Sequence, residues 1–309
     1  MLTNLELREL SAPSGIRSTA NIVMDWLAII AIFALVIEYP SPIIYVLAFL
    51  AMGRQQLALA ILMHDAAHRR LYESSQWNDW IGQILLGAPL IFSLQSYKTL
   101  HLKHHQNPLG PDDPDMSLIG GYPISKMSFG RKIARDLLGI SYFKFIRYFV
   151  FLARKSKPRQ MEPPGQKMQA LESKKKSGGR TFALSSIFIV NTVLFFSLWQ
   201  AGHPVLYFCL WILPAVTVLQ VLLRIRGVAE HAGFRENPNQ MLNARTVINR
   251  WQTFIFAPHN VNYHVEHHLY PSIPYFRLPE VHRRMQIRGS LPFDNIYPGY
   301  GKILTEIIK

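Results

Sequence analysis

Four long apolar runs limit this chain more than any other feature. They cover Ile22–Ile37, Ile43–Met63, Thr181–Leu198 and Val205–Leu223. A span needs about 20 apolar residues, so the first run crosses a bilayer only with the help of its flanks, while the second has full length. No water is available inside a bilayer to satisfy backbone groups, so runs of this kind fold as helices. The composition agrees, because 17% of the 309 residues are charged against roughly 25% in soluble domains. With four spans and both ends on one side, the two opposite-side turns, 38–42 and 199–204, hold no lysine or arginine. Of the 33 basic residues, 32 then share one side and only Arg54 lies within a span. Such an asymmetry predicts that this side is cytoplasmic. The expected fold class is therefore all-α, a multi-pass membrane bundle of about four helices with a cytoplasmic helical cap, in one domain over 1–309.

The same charge distribution explains the net charge of +14 without nucleic acid, since no basic-aromatic motif accompanies it. The single cysteine, Cys209, rules out an internal disulfide and a four-thiolate cluster supplied by this chain. No removable signal peptide is expected at the start of the chain. Residues 1–20 read as a polar lead-in with a short amphipathic piece. Ile81–Leu94 is apolar but short and broken by Gly82, Gly87 and Pro89, which suits a re-entrant or interfacial segment. The aromatic stretch Tyr142–Leu152 is expected along the membrane surface, and 154–180 reads as a flexible basic linker near anionic headgroups.

Histidines stand on the polar side of these runs. Nine of the twelve fall in four places: His64 and His68; His101, His104 and His105; His231; and His264, His267 and His268. Neutral imidazole is a good ligand for iron, zinc, copper and nickel. On a helix, His64 and His68 share a face as an i,i+4 pair. The two HxxHH groups place i,i+3 and i,i+4 rings together, with the adjacent ring splayed by about 100°. A single tetrahedral zinc uses four ligands; nine imidazoles suit two metals with a position left open. One HxxxH alone reads more readily as a satisfied histidine pair. Two HxxHH groups and an HxxxH, each on the polar side of the apolar runs, go beyond coincidence. Gln56, Ala60, His64 and His68 recur every four residues, either as a helix–helix contact or as one wall of a substrate channel.

HDAAH, HLKHH and HVEHH, ordered around four spans, resemble the three histidine boxes of the membrane fatty acid desaturase and hydroxylase superfamily over roughly residues 40–285. That resemblance implies a di-iron centre that activates O2 with two electrons from an outside carrier and attacks an unactivated C–H bond. It implies metal ligands at His64, His68, His101, His104, His105, His264, His267 and His268, and at His231, which follows the fourth span. Three residues separate the first-box histidines, where animal acyl-CoA desaturases have four. Gly227 stands where those enzymes carry an asparagine that holds a metal through water. The GluHis-x-Gly pattern at 230–233 is more similar to the alkane-hydroxylase and carotenoid-ketolase branches.

No catalytic residue separate from the ligands is expected. Asp65, Glu230 and Glu266 sit beside ligands, and each either orients a ring from another box or forms an ordinary ion pair. Asn260 is a further candidate to hold a water or a ring. Asp112, Asp113 and Asp115 either cap their turn or reach the site. His203 and His282 are not expected to ligate. The implied reaction is desaturation of an acyl chain or acyl lipid, with hydroxylation or ketolation of a lipid or terpenoid as the alternative. A non-catalytic metal-binding or transport protein is the reading from another class. With no HPGG haem motif and no CxxC pair, the electrons are expected from ferredoxin, rubredoxin or cytochrome b5. The expected location is a bacterial inner membrane or the ER membrane.

Overall fold

A computed structural model describes residues 1–144, 146–147, 166–234 and 242–309, with side chains except over 166–177. In order come α1 (Asn4–Leu10), α2 (Gly15–Glu38), α3 (Pro42–Ala67), α4 (Ser75–Ile81), α5 (Leu94–Gln106), α6 (Met116–Ile119) and α7 (Lys126–Leu137). Then follow α8 (Gln166–Gln200), α9 (Leu213–Val216), α10 (Val218–His231), α11 (Arg250–Phe256), α12 (His264–Leu269), α13 (Leu278–Ile287) and α14 (Tyr300–Ile307). The strand content among the described residues is one short parallel pair, β1 (Thr246–Val247) with β2 (Ile296–Tyr297).

Four helices are long and apolar enough to cross a membrane: Gly15–Glu38, Pro42–Ala67, Gly178–Gln200 and Tyr207–His231. Each is longer than its apolar run, so the helix carrying a histidine continues beyond the apolar stretch. Local signals set their starts. Ser14 and Ser41 each accept a hydrogen bond from a first-turn amide, and Pro42 opens α3, where its missing N–H costs nothing. Burial separates centre from rim, since 61% of the apolar window of α3 is buried against 22% in α2 and 11% in Gly178–Gln200. On α2 the buried residues are the stripe Ser18, Ile22, Asp25, Ile29 and Val36, as helical periodicity requires. Thus α3 is the axis of the bundle, and it delivers His64.

Two glutamines inside the bundle donate to neighbouring helices. Gln56 donates to the Trp211 carbonyl at 2.7 Å and Gln55 to Asp25 at 2.6 Å. Gln56 is therefore part of a helix–helix contact. Gly53 allows α3 and α10 to approach, because a Cβ there would lie 2.4 Å from Val218. Gly53→Ala should therefore lower stability by about 1 kcal/mol through overpacking, seen as a lower melting temperature in detergent with the metal content unchanged.

Residues 75–90 form α4, a π-helical turn and a 3-10 turn, and the chain then reverses at Ile91, whose φ is +62°. The segment packs against α3 and α8 and returns as α5, which puts His101 on the same side as His64. Gly82 fits because any Cβ would meet Ala66 at 2.6 Å. One expectation is corrected: residues 166–180 are the start of α8 and not a flexible linker. The helix formers Met168, Gln169, Ala170, Leu171 and Glu172 outweigh Gly178 and Gly179. Residues 154–165, and 145 with 148–152 of the aromatic stretch, lie outside the described residues.

Candidate metal centre

The nine histidines meet at one end of the bundle. His64 ends α3 and His68 caps it, His101, His104 and His105 lie on α5, His231 closes α10, and the last three ride on the short helix α12. Their ligand atoms form two groups. His64, His68, His101, His105 and His267 offer nitrogens all within 4.8 Å of one another. His104, His231 and His268 form the other group, which His264 joins through contacts of 2.7 Å to His231 and 3.2 Å to His268. In each HxxHH box the i,i+4 pair stays together while the third ring crosses to the opposite group. His104 thus parts from His101, and His267 from His264, which corrects the expectation that i,i+3 rings would stay together. The reason is angular: on a 3.6-residue helix i+3 and i+4 lie about 100° apart, wide enough to serve two centres.

Several rings are held from behind. His64 Nδ1 lies 3.2 Å from Asp65, His104 Nδ1 2.9 Å from Asp113, and His231 Nδ1 donates to the Asn243 carbonyl at 2.8 Å. Fixing Nδ1–H in this way leaves each Nε2 lone pair free to point inward, which is how metal-binding imidazoles are oriented. His64 Nε2 is buried with no hydrogen-bond partner among the described residues, as are His105 Nδ1, His264 Nδ1 and His268 Nδ1. Close approaches between ring nitrogens occur at His68–His101 (2.9 Å), His101–His105 (3.0 Å) and His105–His267 (3.0 Å). Convergent lone pairs without protons to share suit a cation between them, so the residues present fit metal.

Electrostatics favour the same state. Burial pushes the His68 imidazole down to about 3 and that of His105 down to about 2. His101, His264, His267 and His268 are also held well below the ordinary imidazole value by burial. These rings are neutral at physiological pH, the form that ligates. His104 differs: burial pulls it down, but the Asp113 hydrogen bond and the charges of Asp115, Asp113 and Glu230 hold it above its usual value.

The carboxylates divide by what they touch. Asp65 pairs with its own neighbour His64 and not with another box, because its second oxygen is taken by the Tyr275 amide at 2.9 Å. Glu230 accepts from Arg226 at 2.8 Å, and its other oxygen is 3.6 Å from His264. Glu266 touches no ligand ring among the described residues; it turns away to Thr246 and to His282, both at 2.5 Å. It anchors α12 to β1 and α13. Asn260 makes no side-chain hydrogen bond to the nine rings among the described residues. With His259 it forms a left-handed turn, φ +57° and +54°, before the third box, and His259 binds Asp25 of α2 at 2.7 Å. His203 and His282 lie outside the cluster.

Sequence reasoning left open Asp113 and missed three contacts. Asp113 also accepts from the amides of Leu109 (2.8 Å) and Asp115 (2.9 Å), so turn capping and ring orientation are one arrangement. The Asn243 carbonyl is backbone and has no residue signal. Arg226 sits one helical turn before Glu230, a spacing that was legible. Tyr97 stacks on His101 at 5.3 Å, one turn earlier on the same helix.

Comparison with known proteins gives a family match, fatty acid desaturase, over residues 40–295. A dihydrorhizobitoxine desaturase of Bradyrhizobium elkanii is 28% identical, covering 98% of this chain and 82% of that protein. An sn-1 acyl-lipid omega-3 desaturase (ferredoxin) of Synechocystis sp. is 28% identical, covering 86% and 74%. A beta-carotene ketolase of Paracoccus sp. is 22% identical, covering 86% and 90%.

Proposed function

The chain belongs to the fatty acid desaturase family, and from that premise we propose that it is an O2-dependent di-iron oxidoreductase of the membrane that introduces a double bond into an acyl chain. The membrane setting and the oxidoreductase class follow from the four candidate spans and the relatives. The observation that carries the finer reading is the division of nine imidazoles, eight buried and His68 partly so, into a group of five and a group of four. Bound iron would supply the power to remove hydrogen from an unactivated C–H bond, with O2 and two electrons consumed. The balance is one CH2–CH2 unit, O2, two electrons and two protons giving one CH=CH unit and two waters.

The chain's own groups do the positioning. Asp65, Asp113 and the Asn243 carbonyl hold three rings in the tautomer that presents Nε2. Neutral, buried imidazoles accept metal without first losing a proton. The cluster lies at the end of the α3 and α10 spans, so an amphiphile can keep its head in the aqueous phase and run its chain along apolar helices. Sidedness follows from the charge asymmetry, which favours a cytoplasmic centre in a bacterial inner membrane or the ER membrane.

Electrons come from a separate acidic carrier, ferredoxin, rubredoxin or cytochrome b5, steered by the basic side. Two relatives are named for ferredoxin and cytochrome b5. Raising ionic strength from about 0.01 to 1 M shortens the screening length from about 30 to 3 Å, so turnover with a separate carrier should fall several-fold through KM for the carrier. Salt-independent kinetics would count against this docking.

The second reading, hydroxylation or ketolation of a lipid or terpenoid, draws on the similarity to the ketolase. Mass spectrometry of lipids from cells expressing the gene separates them. Loss of two hydrogens supports desaturation, gain of oxygen supports the alternative, and an unchanged lipid profile with an active donor present contradicts both.

A further inference from the structure

Helix α7 has a chemistry that the histidine centre does not use. Between Lys126 and Lys144 the chain carries Lys126, Arg131, Lys132, Arg135 and Lys144 with one acid, Asp136. Asp136 is fully buried and both its oxygens are held by Arg224 of α10, the second contact being 2.9 Å from Nη2. Its ion pair is therefore with a cation of the bundle, and it forms none within its own helix. Among the described residues no carboxylate forms an ion pair with Lys126, Arg131, Lys132 or Arg135. Interleaved with these cations are large exposed apolar side chains: Met127 (72%), Leu138 (72%), Phe143 (66%) and Leu137 (53%). Single exposed apolar residues are ordinary, but several alternating with cations that have no carboxylate partner, along α7 and the residues just after it, match a surface that lies in a headgroup layer.

Asp136 meets Arg224, the first residue after the apolar run 205–223, so this helix crosses the polar end of that span. After its last turn, Gly139 sits against Val216, which belongs to the Tyr207–His231 span. Before its first turn, Ile124 bonds to Ile307 of the cap at 3.0 Å. So α7 runs from the cap down to the span. Met127, Arg131, Ala134 and Leu138 share one face at helical spacing. Arg131 and Arg135, with Ser128, Ala134 and Leu138, line a shallow open depression of about 460 Å³ along this helix.

We propose that this face of α7 binds the headgroup of an anionic phospholipid of the surrounding bilayer. Arg131 and Arg135 hold the phosphate, and Met127 and Leu138 meet the start of the acyl chains. Guanidinium groups suit phosphate because their donors match two of its oxygens.

The test is native mass spectrometry of the full-length protein released from nanodiscs containing equal phosphatidylglycerol and phosphatidylcholine. The unaltered protein should retain phosphatidylglycerol in preference. In Arg131→Gln/Arg135→Gln that preference should fall by about 25-fold, roughly fivefold for each arginine, with melting temperature and metal content unchanged. A charge-matched control, Arg283→Gln/Lys302→Gln, alters exposed cations elsewhere and should keep the preference. Equal retention of both lipids by the unaltered protein overturns the proposal. So does an equal loss in the control, which would mean that net charge alone decides.

Discussion

His267→Ala will insert into the membrane, melt as a folded protein and lose all turnover. His267 sits in the five-imidazole group, its Nε2 3.0 Å from that of His105 and its ring 4.5 Å from His64. It is the link by which the third box reaches the group otherwise built by α3 and α5. Its removal leaves four imidazoles and a gap on one side of the coordination shell, so the metal there is bound more weakly and at altered geometry. The fold should survive, because α12 is anchored elsewhere: Val265 is fully buried, and Glu266 is tied to Thr246 and His282. The measurement pairs turnover with melting temperature and bound metal. A folded variant with retained turnover would remove His267 from the metal's ligands.

Asp113→Ala should reduce metal affinity and activity by up to about 100-fold, the usual range for losing the group that orients a ligating histidine. Three effects act together. His104 Nδ1 loses its acceptor at 2.9 Å, the amides of Leu109 and Asp115 lose theirs, and the ring is free to change tautomer. Asp113→Asn keeps one acceptor oxygen and should restore part of the loss. That graded order, native above Asn above Ala, distinguishes ring orientation from a general effect on folding. Metal titration of the purified variants checks it, and equal affinities in all three would contradict the role.

The bundle was legible because hydropathy and charge act along the chain. Runs of apolar residues, and the absence of lysine and arginine from 38–42 and 199–204, describe spans without any tertiary information. The reversal at Ile91 was legible for the same reason, since a broken fourteen-residue run is too short to cross. The nine rings were legible because spacing on a helix fixes direction. Distribution between the two groups was not, for it depends on how α5 and α12 are turned relative to each other. Asp65, Glu266 and Asp113 show the same limit. A carboxylate beside a histidine has several directions open, and the partner from another element decides: the Tyr275 amide for Asp65, His282 for Glu266. Asp113 reaches His104 across a proline-rich turn, where sequence distance says little about direction. The start of α8 was misread because glycine pairs and lysine runs suggest a loop, while helix formers upstream sustain the helix.

The measurement that bears most directly on this account is the metal content and Mössbauer spectrum of the full-length protein purified from cells grown on enriched iron. Two groups of convergent imidazoles, five and four, predict close to two irons per chain in nitrogen-rich surroundings. A single tightly held zinc, or one iron per chain in fully active protein, would contradict it.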